Sequence, residues 1–426
     1  MRIIENHRKM TPSDALQKIL EDLPEPSSET VDLGNASGRV LREDIYADRP
    51  FPAFDRVMMD GIAVRSSGIA RGIQSFEVLG LAAAGRPAQS LEQPKDCWRV
   101  NTGAVLPQGA DQIIPIERVV EITDQRATVE NGINAAPYEF VHREGSDFKN
   151  GDRLIGAGAV IGSKEVGVLA SVGSAHVTVA KPPEVILIST GDELVPVDQI
   201  PKRQQIRRSN TWAMESACMR LGIPATQIHI PDDPKAIEDT LTQLLHADSW
   251  IILSGGISKG THDFIPQTLQ KLGAHQRFQW VKQRPGKPMA FYKSPSGAPV
   301  FALPGNPMST LCCFHRYVIP AIHMSLGQTT SRIQTLPLAS AFHFDKPLAL
   351  FLPVQLAGIV NTSETAPQTH ISRDPHLDEA STRAIPRPTK NSGDFASIME
   401  TDGFLELPAE TNDFAAGARF RFYPWI

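Results

Sequence analysis

The pattern of apolar and polar residues changes several times along the chain. Residues 11–23 begin with a capping sequence and repeat apolar side chains at helical spacing, which predicts a first helix. From about residue 30 to 180, short apolar runs alternate with Gly, Pro and Asp turns, which is typical of β-rich units. From about 183 to 328, continuous apolar runs alternate with helical stretches, and the last hundred residues return to a β pattern. We therefore expect a multidomain chain of the α/β plus β class, with a parallel sheet in its third quarter.

Four distinctive loops follow the apolar strands of the predicted α/β region. They cover residues 190–193, 231–234, 254–256 and 304–307. In a parallel sheet, the carboxyl ends of the strands meet at one edge, and ligands bind outside that edge. The spacing thus predicts that these loops form one binding site.

Ser254-Gly255-Gly256 carries the strongest of these signals, because it directly follows a buried strand. Glycine permits positive φ and lets backbone N–H groups approach a phosphate closely. Asp263, at the far end of the same loop, could handle a metal or a second oxyanion. The loop predicts binding of a phosphorylated small molecule, although a plain tight turn has the same composition.

Acidic residues gather on the predicted loops at Asp192, Glu193, Asp232, Asp233 and Asp263. Like charges repel, so a cluster of acids near a phosphate site favours a divalent cation. The alternative is that the paired acids of loop 231–234 merely precede a helix, and that Glu193 is a solvated turn residue.

Two basic segments are candidates for anion binding. Arg284-Pro285-Gly286-Lys287-Pro288 is a stiff turn with two cations, which favours an oxyanion ligand, with a plain surface turn as the alternative. Arg207-Arg208, before the Ser209-Asn210 helix start, fits a phosphate clamp and a solvated pair equally well. The loop at 304–307 also predicts a helix start. On physical grounds alone, the polar loops around Asp60, Thr102 and Asp147 are turns.

Charge and composition exclude several classes of protein. The net charge of −5 argues against a nucleic-acid binder that relies on bulk positive charge. The four cysteines form no CxxC pair, which argues against a disulfide framework or zinc site and fits a reducing cytoplasm. No long apolar run predicts a membrane span, and the first residues lack the apolar segment of a signal peptide. No histidine or cysteine is expected to act as a nucleophile.

With these loops taken in order, the chain resembles the MoeA family of molybdopterin molybdenumtransferases, which includes the E domain of gephyrin. The motifs that carry the resemblance are Met59-Asp60-Gly61-Ile62-Ala63-Val64, Asn101-Thr102-Gly103-Ala104, Glu144-Gly145-Ser146-Asp147, Ser189-Thr190-Gly191-Asp192-Glu193-Leu194, Ser209-Asn210, Asp232-Asp233-Pro234, Ser254-Gly255-Gly256, Pro285-Gly286-Lys287-Pro288, Leu303-Pro304-Gly305-Asn306-Pro307 and Ser392-Gly393-Asp394-Phe395. Each motif is weak alone, but their shared order is specific.

The resemblance implies a four-part architecture. An elongated linker domain is expected from residues 1–45 and 143–180, with an inserted β domain at 46–142. An α/β molybdopterin-binding domain at 181–328 and a C-terminal β-barrel domain at 333–426 complete it. The family acts as a homodimer, so the loops at Asp60 and Thr102 are expected to complete the partner subunit's site.

The resemblance also implies an activity, namely insertion of molybdenum from molybdate into adenylylated molybdopterin, with Mg²⁺ assistance and release of AMP. The molybdopterin adenylyltransferase and apo-molybdoenzymes are further partners that it suggests. Carried over by position, the expected catalytic residues are Asp60, Thr102, Asp147, Glu193, Asp232 and Asp263, with Glu193 and Asp263 on the metal. The expected substrate-binding residues are Ser209, Asn210, Ser254, Gly255, Gly256, Arg284, Lys287, Pro304, Gly305, Asn306 and Pro307.

Several positions depart from the common pattern of the family. Arg56-Val57-Met58 replaces Asn-Ser-Ala, Ile62 replaces Tyr, Arg207-Arg208 replaces Tyr-Asp, and Arg284 replaces Lys. These changes keep the acids and make the site more basic. Tungstate preference, an inactive paralogue, a gephyrin-like scaffold, and another enzyme with the same α/β domain, such as a nucleotide pyrophosphatase or amidohydrolase, stay as alternatives.

Overall fold

The computed structural model describes residues 10–257, 264–328, 334–358, 382–390 and 393–426. Its first helix begins as the sequence predicts. Thr11 caps the helix, since its hydroxyl accepts a hydrogen bond from the Asp14 N–H, and the Asp14 carboxylate accepts one from the Thr11 N–H. Pro12 occupies the first turn, where no backbone donor is needed. The helix buries Ala15 and Ile19 in a core made mostly of residues from the α/β region.

The N-terminal part of the chain is β-rich. It contains helices α1 Pro12–Glu21, α2 Ser66–Ala70 and α3 Ser163–Ser171. Its strands are β1 Ser28–Asp32, β2 Ile45–Tyr46, β3 Arg56–Val57, β4 Gly61–Val64, β5 Ser75–Ala82, β6 Asp96–Val100, β7 Gln112–Pro115, β8 Val119–Ile122, β9 Arg126–Val129, β10 Val141–His142, β11 Arg153–Ile155 and β12 His176–Ala180. Six of them form a sheet in the order β7-β4-β6-β5-β9-β8, and short antiparallel pairs join β1 to β12, β3 to β10 and β2 to β11.

The middle part is the α/β region. Its strands are β13 Val185–Thr190, β14 Leu194–Val195, β15 Ile206–Arg207, β16 Ala225–Ile230, β17 Trp250–Ser254, β18 His275–Gln279, β19 Gln283–Arg284, β20 Ala290–Lys293 and β21 Pro299–Leu303. Its helices are α4 Asn210–Arg220, α5 Pro234–Leu244, α6 Ile265–Lys271, α7 Pro307–Cys313 and α8 Ile319–Ser325, and a π-helical turn, Phe314–Val318, joins the last two.

The main sheet of this region has the order β16-β13-β17-β21-β20-β18. Its first four strands are parallel, as predicted, but β20 and β18 are antiparallel to their neighbours. The predicted parallel sheet is therefore extended by two antiparallel strands that the sequence did not indicate. The physical reason is the short connection between β20 and β21, which can only join antiparallel strands. Helices cover both faces of the sheet, and an apolar core lies between the sheet and the helices on each face.

The C-terminal part contains β22 Thr335–Pro337, β23 Phe342–His343, β24 Ala349–Gly358, β25 Thr382–Pro386, β26 Gly403–Leu407, β27 Asp413–Phe414 and β28 Arg419–Pro424. One sheet runs β19-β24-β26-β28-β22, with β25 also paired to β24. Strand β19 belongs to the α/β region in sequence, so this sheet ties the C-terminal part to the Arg284 loop. The expected α/β plus β class is confirmed, while closure of the last part into a barrel stays a prediction.

Beneath the same loop, Arg316 on the π-helical turn is fully buried against Glu406 of β26, with Nε and Oε2 2.8 Å apart. This ion pair is a second tie between the two parts. Across the described ranges, no helix combines the length and apolar character needed to cross a membrane.

Candidate functional site

A cavity of about 820 Å³ opens at the carboxyl edge of the α/β sheet. All four predicted loops and the two basic segments contribute to its wall, together with two residues of the C-terminal part. The residues that matter below are Thr190, Glu193, Arg207, Arg208, Ser209, Asn210, Thr211, Asp232, Ser254, Gly255, Gly256, Arg284, Lys287, Pro304, Gly305, Asn306, Pro307, Lys346 and Leu348. The structure therefore brings together every predicted substrate-binding residue.

The Gly255-Gly256 turn has positive φ angles of 107° and 66°, which glycine adopts at low cost. The space around it is also tight. A Cβ atom at position 255 would lie 2.9 Å from the Thr190 hydroxyl, and one at Gly305 would lie 3.4 Å from the Gly255 Cα. The two glycine loops thus touch each other, and this contact brings their main chains to the same part of the wall.

Asn210 holds three of these segments together. Its Nδ2 atom lies within hydrogen-bond distance of Ser254 Oγ (2.8 Å), the Gly305 carbonyl (2.8 Å) and Thr310 Oγ1 (3.1 Å). Helix α4 begins at Asn210, and Ser209 precedes it without a side-chain capping bond. The amide of Asn210 is therefore occupied in positioning the loops.

The two acids of loop 231–234 have different surroundings. Asp233 caps α5 by accepting a hydrogen bond from the Ala236 N–H (2.8 Å), as expected of a residue that leads a helix. Asp232 lies in the cavity wall, and its N–H donates to Asp192 Oδ1 (3.1 Å). Only Asp232 of this pair faces the ligand space.

Glu193 is the other carboxylate of the wall. Its side chain folds over Gly191, where a Cβ atom would lie 2.5 Å from Glu193 Oε2. Gly191 therefore leaves the room that the carboxylate occupies. Asp263, predicted as a catalytic and metal residue, lies outside the described residues. Within the described ranges, no group of three His, Cys, Asp or Glu side chains forms a ready metal site.

Buried groups support the Arg284 loop from below. Gln283 is fully buried, and its Nε2 donates to the Gly286 carbonyl (3.2 Å) and to Cys313 Sγ (3.3 Å). The Tyr317 hydroxyl donates to Gln283 Oε1. Burial raises the pKa of the Cys313 thiol to about 12, so it is neutral. The loop that carries these cations is therefore supported by neutral, hydrogen-bonded side chains.

The cavity wall is more basic than acidic. Among the described wall residues, the basic ones are Arg207, Arg208, Arg284, Lys287 and Lys346, against the acids Glu193 and Asp232. The wall therefore suits a ligand with several negative charges. Lys346 and Leu348 were missed by sequence reasoning. They arrive because β19 pairs with β24 in parallel, with Gln283 opposite Ala349, and no local motif signals this long-range pairing.

A second group of predicted residues lies in the β-rich part. Asp60 Oδ1 accepts hydrogen bonds from the Thr102 N–H (2.6 Å) and the Thr102 hydroxyl (2.8 Å). These two bonds hold the pKa of the exposed Asp60 carboxyl below its usual value, and the bond from the backbone N–H has the larger effect. The pairing of β4 with β6, which sets Gly61 opposite Val100, brings the two loops together.

Asp147 belongs to a separate chain of contacts. Its Oδ1 lies 2.8 Å from His142 Nε2, and His142 Nδ1 lies 3.0 Å from Arg56 Nη2. Because arginine can only donate, Nδ1 accepts, and Nε2 carries the proton given to Asp147. This bond from His142 is the main cause that lowers the pKa of Asp147. None of the described wall residues of the cavity belongs to the Asp60 or Asp147 groups.

Comparison with known families and proteins follows the same division of the chain. Residues 10–173 match the model of the MoeA N-terminal region (domain I and II), 186–324 that of a probable molybdopterin binding domain, and 376–425 that of the MoeA C-terminal region (domain IV). The chain is 37% identical over 413 residues to a molybdopterin molybdenumtransferase of Synechocystis, covering 96% of this chain and 98% of the relative.

Two further similarities extend this result. A gephyrin of Dictyostelium discoideum is 32% identical over 360 residues, which is 74% of this chain and 49% of that protein. The crystal structure of a molybdopterin biosynthesis MoeA protein from Pyrococcus horikoshii superposes with a TM-score of 0.79 at 26% identity, covering 98% of this chain and 100% of the other. The sequence similarity and the structural similarity therefore both extend over nearly the full length of this chain.

Proposed function

This chain belongs to the MoeA family of molybdopterin molybdenumtransferases and acts in molybdenum cofactor biosynthesis, and on that premise we propose that it inserts molybdenum from molybdate into adenylylated molybdopterin and releases AMP. The observation that carries the proposal is the basic cavity at the carboxyl edge of the α/β sheet. Both proposed substrates are anions, since adenylylated molybdopterin contains a phosphoanhydride and molybdate is an oxyanion. A wall with five basic and two acidic described side chains is complementary to them.

The same residues account for the chemistry. Breaking the bond between the two phosphates leaves additional negative charge on the departing AMP. Arg284 and Lys287, on a loop fixed from below, are placed to stabilise that charge without first reorganising. The Gly255-Gly256 turn lets the main chain approach a phosphate oxygen.

Magnesium is the cation that we propose for this site. Mg²⁺ usually binds one or two carboxylates and completes its shell with water and substrate phosphates. Glu193 and Asp232, both in the cavity wall, fit that requirement, and Asp263 is a further candidate from the sequence. When bound, the ion would neutralise phosphate charge that the arginine and lysine side chains share.

We further propose a homodimer in which the partner subunit supplies the Asp60 and Asp147 groups to the cavity. Both carboxylates are exposed and lie outside the cavity of their own chain. Exposed apolar side chains, Met58 and Phe148, stand beside them, as expected where another surface packs. A cytoplasmic location, and encounters with the molybdopterin adenylyltransferase and apo-molybdoenzymes, belong to the same proposal. The four free, buried cysteines support the reducing compartment.

The test is to incubate the purified protein with adenylylated molybdopterin, molybdate and Mg²⁺, and to measure AMP by chromatography. Asp60→Ala and Glu193→Ala are expected to lower the rate at least about a hundredfold, as removal of a group acting in the transition state usually does. Asp124→Ala is the matched control, because that side chain is 99% exposed, and neither it nor its ion-pair partner Arg99 is among the residues of the cavity wall.

Each outcome separates the alternatives. Release of AMP with tungstate in preference to molybdate would change the metal but keep the reaction. A dimer that binds the substrate and releases no AMP would favour the gephyrin-like scaffold over the enzyme. A stable monomer by light scattering, with full activity, would refute the shared site.

A further inference from the structure

Two buried hydroxyl groups in the wall of the cavity have no hydrogen-bond partner. Thr190 is 5% exposed and Thr211 is 1% exposed. Throughout the described part of the chain, five buried side-chain polar atoms lack a partner, and the other three, Arg65 Nε, Tyr292 Oη and Arg316 Nη1, are not in the residues that line this cavity. The unsatisfied hydroxyls are thus concentrated at the ligand site.

Buried polar groups are almost always paired, because an unpaired one loses its bonds to water without gaining others. A hydroxyl group usually avoids this cost by rotating toward a neighbouring acceptor and donating a hydrogen bond to it. Neither Thr190 nor Thr211 has found one within its own chain. Since both residues belong to the lining of the cavity, the missing partner is expected to arrive with the ligand.

The glycine turn packs closely against the buried Thr190 hydroxyl. A Cβ atom at Gly255 would come within 2.9 Å of Thr190 Oγ1, and one at Gly256 within 3.0 Å. Any side chain at either position would therefore crowd the oxygen that faces the turn. The two glycines therefore let their own main chain and this hydroxyl lie side by side at the wall of the same cavity.

Thr211 lies at the start of another element of the wall. It is the second residue of α4, an eleven-residue helix, and so lies among the backbone N–H groups of the first turn, which have no partner within the helix. The neighbouring Asn210 amide is already bonded to Ser254, Gly305 and Thr310. The hydroxyl of Thr211 is therefore a side-chain donor still available at that helix start.

We propose that Thr190 and Thr211 are substrate-binding residues whose hydroxyls donate hydrogen bonds to phosphate oxygens of the ligand. The basic wall and the glycine turn favour a phosphate over a neutral group as the acceptor. The identity of the ligand as adenylylated molybdopterin rests on the proposed function. The hydrogen bonds themselves require only a phosphate in the cavity.

The test uses Thr190→Val and Thr211→Val, which keep the shape of the side chain and remove the hydroxyl. Dissociation constants are measured by calorimetry with three probes, namely AMP, molybdopterin and inorganic pyrophosphate. Each valine variant is expected to bind at least one probe about ten- to a hundredfold more weakly, the effect of losing a bond to a charged group. Thr190→Ser and Thr211→Ser keep the hydroxyl and are expected to bind within about threefold of the parent protein.

Thermal unfolding without ligand distinguishes a hydroxyl that contacts the ligand from one that stabilises the fold. Removing a hydroxyl that is unsatisfied in the free protein should leave the Tm unchanged or raise it. The matched control is Thr310→Val, because the Thr310 hydroxyl is buried and donates to the Pro304 carbonyl, so its loss should lower the Tm. Weaker binding together with undiminished stability is the signature of a ligand-contacting hydroxyl.

Two results would overturn the inference. One is a valine pair that binds all three probes as tightly as the parent protein. The other is a fall in Tm as large as that of Thr310→Val, which would mean that the hydroxyls have a structural partner. Failure of the proposed function looks different: the parent protein would release no AMP, while pyrophosphate binding would still depend on the two hydroxyls.

Discussion

A single methyl group at Gly286 should disable the loop that carries Arg284 and Lys287. Gly286 has φ of +89°, and a Cβ atom there would lie 2.4 Å from Cys313 Sγ and 2.8 Å from Gln283 Nε2. Both neighbours are fully buried and cannot move away freely. The left-handed conformation costs alanine about 1–2 kcal/mol, and overpacking a buried site costs about 1–3 kcal/mol more. Gly286→Ala is therefore expected to lose about 2–5 kcal/mol or to release part of the strain by moving the loop outward.

Either response should reach the cations, since the Gly286 carbonyl is one of the groups that Gln283 holds. We expect molybdate and AMP to bind at least about tenfold more weakly, which corresponds to about 1.4 kcal/mol. The assays are urea unfolding followed by circular dichroism, and calorimetric titration with each anion. The two readouts show whether the strain is retained in the fold or relieved by movement of the loop.

Gly297→Ala is the matched control for the backbone. Gly297 has φ of +93°, but a Cβ atom there would meet only Lys293 Cε, at 3.7 Å. It therefore carries the same conformational cost without the collision, and the difference between the two variants measures the collision alone. The reasoning is refuted if Gly286→Ala loses no more stability than Gly297→Ala and binds both anions as the parent protein does.

Three further predictions concern residues outside that loop. Arg316→Met should lower the free energy of unfolding in urea by about 3–5 kcal/mol, because it leaves the Glu406 carboxylate without its buried partner, and adding Glu406→Leu should restore part of the loss. Burial lowers the pKa of His315 from 6.5 to about 4. Between these two pH values, the imidazole is therefore protonated in the unfolded chain and neutral in the folded one. Stability should therefore fall as the pH drops from about 6.5 to 4, and His315→Gln should flatten that part of a thermal-unfolding profile. Thr102→Val removes the hydroxyl bond to Asp60 but keeps the backbone bond, so an NMR titration should show the Asp60 pKa rising only part of the way to its ordinary value. A pKa of Asp60 that is unchanged in this variant would contradict the last prediction.

The loops of the site could be predicted from sequence because their position follows from local pattern and sheet geometry. Apolar runs such as β13 and β17 are short and continuous, which indicates strands buried on both faces. Parallel neighbours then place Thr190 and Ser254 at the same edge. The presence of Ser254, Gly255 and Gly256 beside Thr190 in one cavity needed no further information, whereas the sequence left Arg284 open between an anion site and a surface turn.

Other features depend on pairings between distant parts of the chain, and nothing local encodes them. Lys346 reaches the cavity only because Arg284 pairs with Leu350 across strands β19 and β24. The different surroundings of Asp232 and Asp233, which are adjacent acids with the same composition signal, follow from where each side chain sits at the start of α5. The antiparallel end of the main sheet was missed because apolar periodicity does not encode strand direction.

These long-range pairings make the C-terminal part a component of the cavity wall. Strand β24 hydrogen-bonds the segment that carries Arg284, and the same part of the chain adds Lys346 to the wall. The buried Arg316–Glu406 pair also joins the two regions, and the Ile426 N–H donates to His315 Nε2 (3.0 Å) on the same π-helical turn. A change that loosens any of these contacts shifts the cations relative to the glycine turn, which is held by the parallel sheet instead. Since anion binding requires both halves at a fixed separation, substitutions at the C-terminal contacts should weaken anion binding without touching a cavity residue.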